Sequence, residues 1–89
     1  MYILFYDYGE NAMERRAPYR EQHLELAGGA YAEGQMILAG AFNDPLDGAA
    51  LVFRTREAAE GFVKVDPYVS SGLVTGWRIR EWNVVIGGD

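Results

Sequence analysis

The chain has 89 residues, of which 49% are hydrophobic and 13% aromatic, and it contains no cysteine. That is enough for one domain with a real core and too short for two; it excludes a disulfide framework and any thiolate metal or redox chemistry. A formal net charge of −5 argues against a nucleic-acid or anionic-membrane surface, and leaves a local basic cluster at Arg15, Arg16 and Arg20 to bind a small anion.

In chain order, Tyr2-Ile3-Leu4-Phe5-Tyr6 is β-branched and aromatic enough for a strand, punctuated by Gly9, Glu10 and Asn11. Residues 12–16 suit a helical turn, and Pro18 suits the first turn of a helix running to about Glu33, with Leu24, Ala27 and Tyr31 at helical spacing. Gly28-Gly29 weakens such a helix by roughly 1 kcal/mol per glycine relative to Ala. Close packing on a neighbour, or a frayed end, is the expected reason. Gly34 is placed to end it as a C′ residue.

Met36 to Phe42 reads as a second strand, Asn43 to Gly48 as turn chemistry, and Ala49 to Arg54 as a third strand closing a hairpin. Thr55 is a good N-cap for a helix over about 56–65, which Asp66-Pro67 ends. Pro67 to Gly72 reads as a loop, and Leu73 through Trp77, Ile79, Trp82, Val84 and Val85 as the fourth strand. The order βαββαβ predicts an α+β, ferredoxin-like domain over residues 1–89: an antiparallel four-stranded sheet with two helices on one face. No apolar run approaches the roughly 20 residues that span a bilayer. Residues 1–8 hold no basic n-region, so a cytoplasmic protein with no membrane and no nucleic-acid partner is the expectation.

Two short helices cover one sheet face, so the other should be polar. Yet β-strand residues Ile3 and Phe5 alternate with Tyr2, Leu4, Tyr6 and Tyr8, and both rows are apolar. The expectation is a homodimer through the sheet face, with Tyr2, Leu4, Tyr6, Met36, Leu38 and Phe42 on the side the helices do not reach.

The single histidine, His23, shares a helix side with Arg16, Tyr19 and Arg20. An imidazole among cationic and phenolic neighbours suits general acid/base work on an anionic substrate, although a lone helix histidine is more often a hydrogen-bonded or exposed residue. Asp66 ends the second helix on the same sheet face and is able to orient the His23 ring. Taken alone, Asp66-Pro67 is better read as a helix terminator. Ser70 or Ser71 as a nucleophile lacks a G-x-S-x-G elbow. One histidine and no cysteine make no typical zinc site, so no metal is expected, and Gly28-Gly29 and Gly87-Gly88 lack phosphate-loop spacing. Arg78 and Arg80 alternate with Trp77 and Ile79, and read slightly better as edge-strand charge than as pocket groups.

Three stretches together, Arg16-Ala17-Pro18-Tyr19-Arg20-Glu21-Gln22-His23-Leu24, Ile37-Leu38-Ala39-Gly40-Ala41-Phe42, and Asp66-Pro67-Tyr68 with Gly72-Leu73-Val74, resemble the YCII-related (YciI-like) proteins over roughly residues 1–85. The resemblance implies a dimeric α+β barrel, and it places the family's proposed catalytic pair on His23 and Asp66. It also implies proton transfer on a small, oxygenated, often aromatic metabolite without a cofactor. The tail Ile86-Gly87-Gly88-Asp89 matches no motif.

The expectation is therefore a homodimeric lyase or isomerase. In it His23 moves a proton, Asp66 fixes its tautomer, and Arg16 or Arg20 holds a carboxylate or phenolate oxygen. Tyr19, Tyr68, Ser71 and Trp77 complete the candidate small-molecule site. The alternative is a non-catalytic ligand-binding or accessory protein in which the His-Asp pair ties two helices together. A third reading is an oligomeric scaffold without a pocket.

Overall fold

Strand β1 (Tyr2–Tyr8) runs through the middle of a four-stranded antiparallel sheet of order β2-β3-β1-β4, completed by β2 (Met36–Ala41), β3 (Gly48–Phe53) and β4 (Val74–Glu81). This computed structural model describes residues 1–88, so the last residue of the expected domain and tail, Asp89, lies outside the described residues. Between β1 and β2 the chain forms α1 (Ala12–Arg16), a 3-10 turn (Ala17–Tyr19) and α2 (Arg20–Ala32). Between β3 and β4 it forms α3 (Arg56–Val65) and the short α4 (Pro67–Ser70). The ferredoxin-like α+β arrangement is the one the element order predicts.

Local chemistry explains the boundaries. Pro18 has no N–H to continue a helical ladder, so the chain tightens into a 3-10 turn and α2 begins at Arg20 rather than Pro18. Gly34 takes φ 79° just past α2, the left-handed conformation of a helix stop. Thr55 Oγ1 accepts the Ala58 N–H at 3.1 Å and caps α3, which buries Ala59, Phe62 and Val63. A side chain at Gly48 would collide with the Tyr6 carbonyl oxygen, so β3 starts on a residue that lets β1 approach closely.

Four expectations change. Residues Pro67–Ser70 form a helical turn rather than a loop, because the Asp66 side chain accepts the Tyr68 N–H and caps it. Strand β4 ends at Glu81, opposite Tyr2 at the start of β1; the Trp82 N–H then donates to the Met1 carbonyl and the chain leaves the sheet. Gly28 and Gly29 do not mark close helix packing, as a Cβ at either position meets nothing within 4 Å.

The fourth correction concerns the sheet faces. Leu4, Tyr6 and Met36 are buried beneath the helices, together with Leu51 and Phe53, and are not on the open side. Cross-strand pairing places Tyr2, Leu4 and Tyr6 with Phe53, Leu51 and Ala49 on the helix face. The open face carries Ile3 and Phe5 with Val52 and Ala50, flanked by Arg80 and Arg78 of β4. A register shift between Met36 and Leu38 resets the alternation of β2, so Met36, Ala39 and Ala41 share the helix side.

Candidate functional site

The site is assembled from three distant parts of the chain around one buried carboxylate. Asp66, between α3 and α4, is 1% exposed and is the only polar residue in the buried set among the described residues. It is held by three donors. The Tyr68 N–H reaches Oδ1 at 3.0 Å, the Tyr6 hydroxyl reaches Oδ2 at 2.7 Å, and His23 Nδ1 lies 2.9 Å from Oδ1. A carboxylate only accepts, so the pairing assigns the proton to Nδ1 and leaves Nε2 as the free nitrogen of the imidazole.

The ring itself is fixed by its neighbours. His23 stacks on Tyr68 with centroids 3.8 Å apart and planes 4° from parallel, while Phe62 meets it edge-on at 6.1 Å. The side chain is 12% exposed, and it lines a cleft of about 460 Å³ between α2 and the β2–β3 side of the sheet. One end of that cleft is polar, formed by Tyr8, Arg16, Arg20, His23 and Tyr68. The other end is apolar, formed by small residues of α2 and β2 with Leu24 and Tyr31. No Asp or Glu lines it among the described residues, so this acidic chain has a locally cationic pocket.

The phenols respond to this setting. Burial and the Asp66 carboxylate push Tyr6 far above the ordinary tyrosine range. Tyr8 is pushed up to about 12 by burial, then by Tyr68 and Asp66, with Arg16 pulling the other way. Burial raises Tyr68 as well, opposed by Arg16 and Arg20. All three are hydrogen-bond donors at neutral pH.

Of the residues singled out from sequence, the fold brings His23, Asp66, Arg16, Arg20 and Tyr68 together. Tyr19 lies in the 3-10 turn outside the cleft lining. The Ser71 hydroxyl donates to the Tyr68 carbonyl and accepts the Leu73 N–H, and Ser71 is not part of the cleft lining. Ser70 likewise donates to the Pro67 carbonyl, so neither serine is bonded to the imidazole. Trp77 sits half exposed on the edge strand opposite Tyr6, outside the cleft lining. Arg78 lies over the Phe5 ring at 4.6 Å, on the open sheet face. Sequence reasoning missed Tyr6 and Tyr8 as site residues. Tyr6 lies in the core and Tyr8 packs against it, and their spacing of two on β1 is the signal that points to the site once that face is known to be the inner one. Among the described residues, no three His, Cys, Asp or Glu side chains are grouped to hold a metal ion, and no helix is long and apolar enough to cross a membrane.

A family model of the YCII-related domain matches residues 1–83. The chain belongs to the YCII-related family. Among its curated relatives are the proteins YciI of Escherichia coli O6:H1 and of Shigella flexneri. Each is 27% identical over 96 residues, covering 96% of this chain and 98% of the relative. A solved structure, 5-chloro-2-hydroxyhydroquinone dehydrochlorinase (TftG) from Burkholderia phenoliruptrix AC1100 in complex with 2,5-dihydroxybenzoquinone, superposes with a TM-score of 0.74. It is 18% identical, and the match covers 93% of this chain and 94% of that one. At that identity the likeness establishes the fold, and the YCII-related assignment rests on the family model.

Proposed function

We propose that this YCII-related protein is an acid/base enzyme of the lyase or isomerase type, acting on a small, oxygenated, planar or aromatic molecule, and that it works as a homodimer. The observation that carries the reading is the His23–Asp66 pair. Its Nδ1 is committed to a buried carboxylate and its Nε2 is left for a cleft lined by two guanidinium groups. In such a site Nε2 takes a proton from a saturated carbon next to a carbonyl. The C–H bond breaks and an N–H bond forms, the freed electron pair becomes a C=C bond to the carbonyl carbon, and the C=O π pair moves onto the oxygen. Return of the proton to another atom gives isomerisation; departure of a leaving group with the electron pair gives elimination. Asp66 stabilises the imidazolium that forms and fixes which nitrogen reacts. Arg16 and Arg20 hold the anionic oxygen by charge-assisted hydrogen bonds. The fold neighbour named as a dehydrochlorinase, bound to a dihydroxybenzoquinone, supports a planar oxygenated ring as the substrate class.

The dimer reading is supported by the open face, where Ile3, Phe5 and Ala50 make an apolar centre bordered by Arg78 and Arg80. The experiment for the chemistry is hydrogen–deuterium exchange into 2,5-dihydroxybenzoquinone and a panel of small enol lactones, followed by NMR. Exchange in the wild type that His23→Ala abolishes supports the enzyme. Exchange no faster than in buffer for wild type and His23→Ala alike, with a lower melting temperature in the variant, assigns the pair a structural role in a ligand-binding protein. Light scattering is expected to give twice the 9.9 kDa chain mass; a 9.9 kDa species at micromolar concentration overturns the dimer.

A further inference from the structure

Two phenols stand two residues apart on the same face of β1, and they have different fates. Tyr6 is 1% exposed and its hydroxyl is committed to Asp66. Tyr8 lines the polar end of the cleft, its ring edge-on to Tyr68 at 6.1 Å, and its hydroxyl has no hydrogen-bond partner among the described residues. The Tyr68 hydroxyl is likewise without a protein partner among the described residues, and Tyr68 lines the same cleft. Since no buried side-chain oxygen is left unpaired among the described residues, both hydroxyls reach open space.

We propose that Tyr8 is a catalytic residue: with Tyr68 it forms an oxyanion corner that donates hydrogen bonds to the substrate oxygen that gains negative charge when His23 takes its proton. The assignment rests on the acid/base reading above for the timing of that charge, but the corner's affinity for an oxyanion is a property of its own. Stacking of His23 on Tyr68 at 3.8 Å, and the edge-on contact of Tyr68 with Tyr8, places the base and the two donors side by side along one wall. Arg16 closes the corner from α1, close enough to both phenols for its charge to be felt by each. Proton acceptance and charge stabilisation thus come from separate groups, and the oxyanion is met by donors fixed in place before reaction. The phenols donate hydrogen bonds and keep their protons, so the only proton that moves is the one His23 carries. A substrate matching this corner has a phenol, enol or enolisable carbonyl at one end and an apolar body in the slot between α2 and β2.

The test uses para-nitrophenol, whose neutral and ionised forms absorb differently, and nitrobenzene as a neutral analogue of similar shape. Wild type, Tyr8→Phe, Tyr68→Phe and His23→Ala are compared, with thermal melts to verify folding. The wild type is expected to bind the phenolate more tightly than nitrobenzene and to lower the pH at which the bound phenol ionises. Tyr8→Phe is expected to weaken the phenolate at least about tenfold while leaving nitrobenzene unchanged. Equal phenolate affinity in wild type and Tyr8→Phe overturns the proposal, as does a wild type that binds no phenolate. Tyr68→Phe separates the two donors: a loss there similar to that in Tyr8→Phe supports a shared corner, and no loss there overturns it. If His23→Ala leaves deuterium exchange intact while Tyr8→Phe still loses the phenolate, the base assignment fails and the oxyanion corner stands.

Discussion

The Tyr6 hydroxyl and the Asp66 carboxylate meet at 2.7 Å, buried, across 60 residues of chain. This bond ties the central strand to the turn between α3 and α4, and it occupies the carboxylate oxygen that His23 does not use. Tyr6→Phe keeps the ring's packing and leaves Oδ2 with no donor. The expected cost is about 1–3 kcal/mol, as for a buried hydrogen bond to a charged group. Urea unfolding measures it, and a change within about 0.5 kcal/mol shows that the bond adds nothing to stability.

Asp66→Asn tests the charge. The Tyr68 N–H needs an acceptor at Oδ1, so the amide oxygen takes that place and still accepts from His23 Nδ1, while the amide N–H donates to the Tyr6 hydroxyl. Nitrogen NMR of the single histidine is expected to show an Nδ1-protonated ring in wild type and variant alike. Deuterium exchange into 2,5-dihydroxybenzoquinone should fall by about 100-fold or more, because no carboxylate charge then stabilises the imidazolium. An Nε2-protonated ring in the wild type contradicts the tautomer, and unchanged exchange in the variant contradicts a role for the charge.

Alkaline pH should unfold the protein sooner than charge repulsion alone requires. The folded-state values of Tyr6, Tyr8 and Tyr68 lie above the ordinary 10.0, so folding favours the protonated phenols. Their contribution is complete below pH 10.0 and is lost as pH rises toward the folded value, about 12 for Tyr8. Melting temperature against pH, read with tyrosinate absorbance, is expected to show these phenols ionising together with unfolding.

The two helix glycines are expected to separate stability from function. A methyl group at Gly28 or Gly29 meets nothing within 4 Å, so Gly29→Ala should stabilise the chain by about 0.5–1 kcal/mol through helix propensity. Gly28 lines the cleft, and Gly28→Leu should keep the fold while weakening para-nitrophenol binding by about tenfold or more. Thermal melts and absorbance titration distinguish the two effects; equal phenol affinity in Gly28→Leu shows that bound phenols do not use this part of the slot.

Much of the fold was legible in the residues. The aromatic run of β1, the Thr55 cap and the Asp66-Pro67 stop each carry a local cause that the structure repeats. The pairing of His23 with Asp66 was legible from topology and resemblance together, since helices on one sheet face bring their residues into reach. The inner and outer rows of β1 were not. Ile3 and Phe5 are as apolar as Leu4 and Tyr6, and alternation reports two rows without saying which one the helices cover. In β2 the register shift after Met36 defeats counting by twos, which puts Leu38 opposite Val52 and on the other face from Met36. Tyr6 and Tyr8 were lost to the site for the same reason: tyrosines assigned to an interface do not suggest a hydrogen bond to a buried aspartate.

Asp66 does two jobs with one oxygen: Oδ1 caps α4 through the Tyr68 N–H and also holds His23. In many enzymes a reactive group can be exchanged for a better-packing residue, with gained robustness and lost turnover. At position 66 that exchange is closed, because an apolar residue that releases the imidazole also uncaps the turn and strands the Tyr6 hydroxyl. Selection for a durable chain and selection for a working site press on this residue in the same direction, so variants of this protein screened only for heat resistance should retain the aspartate without being asked to.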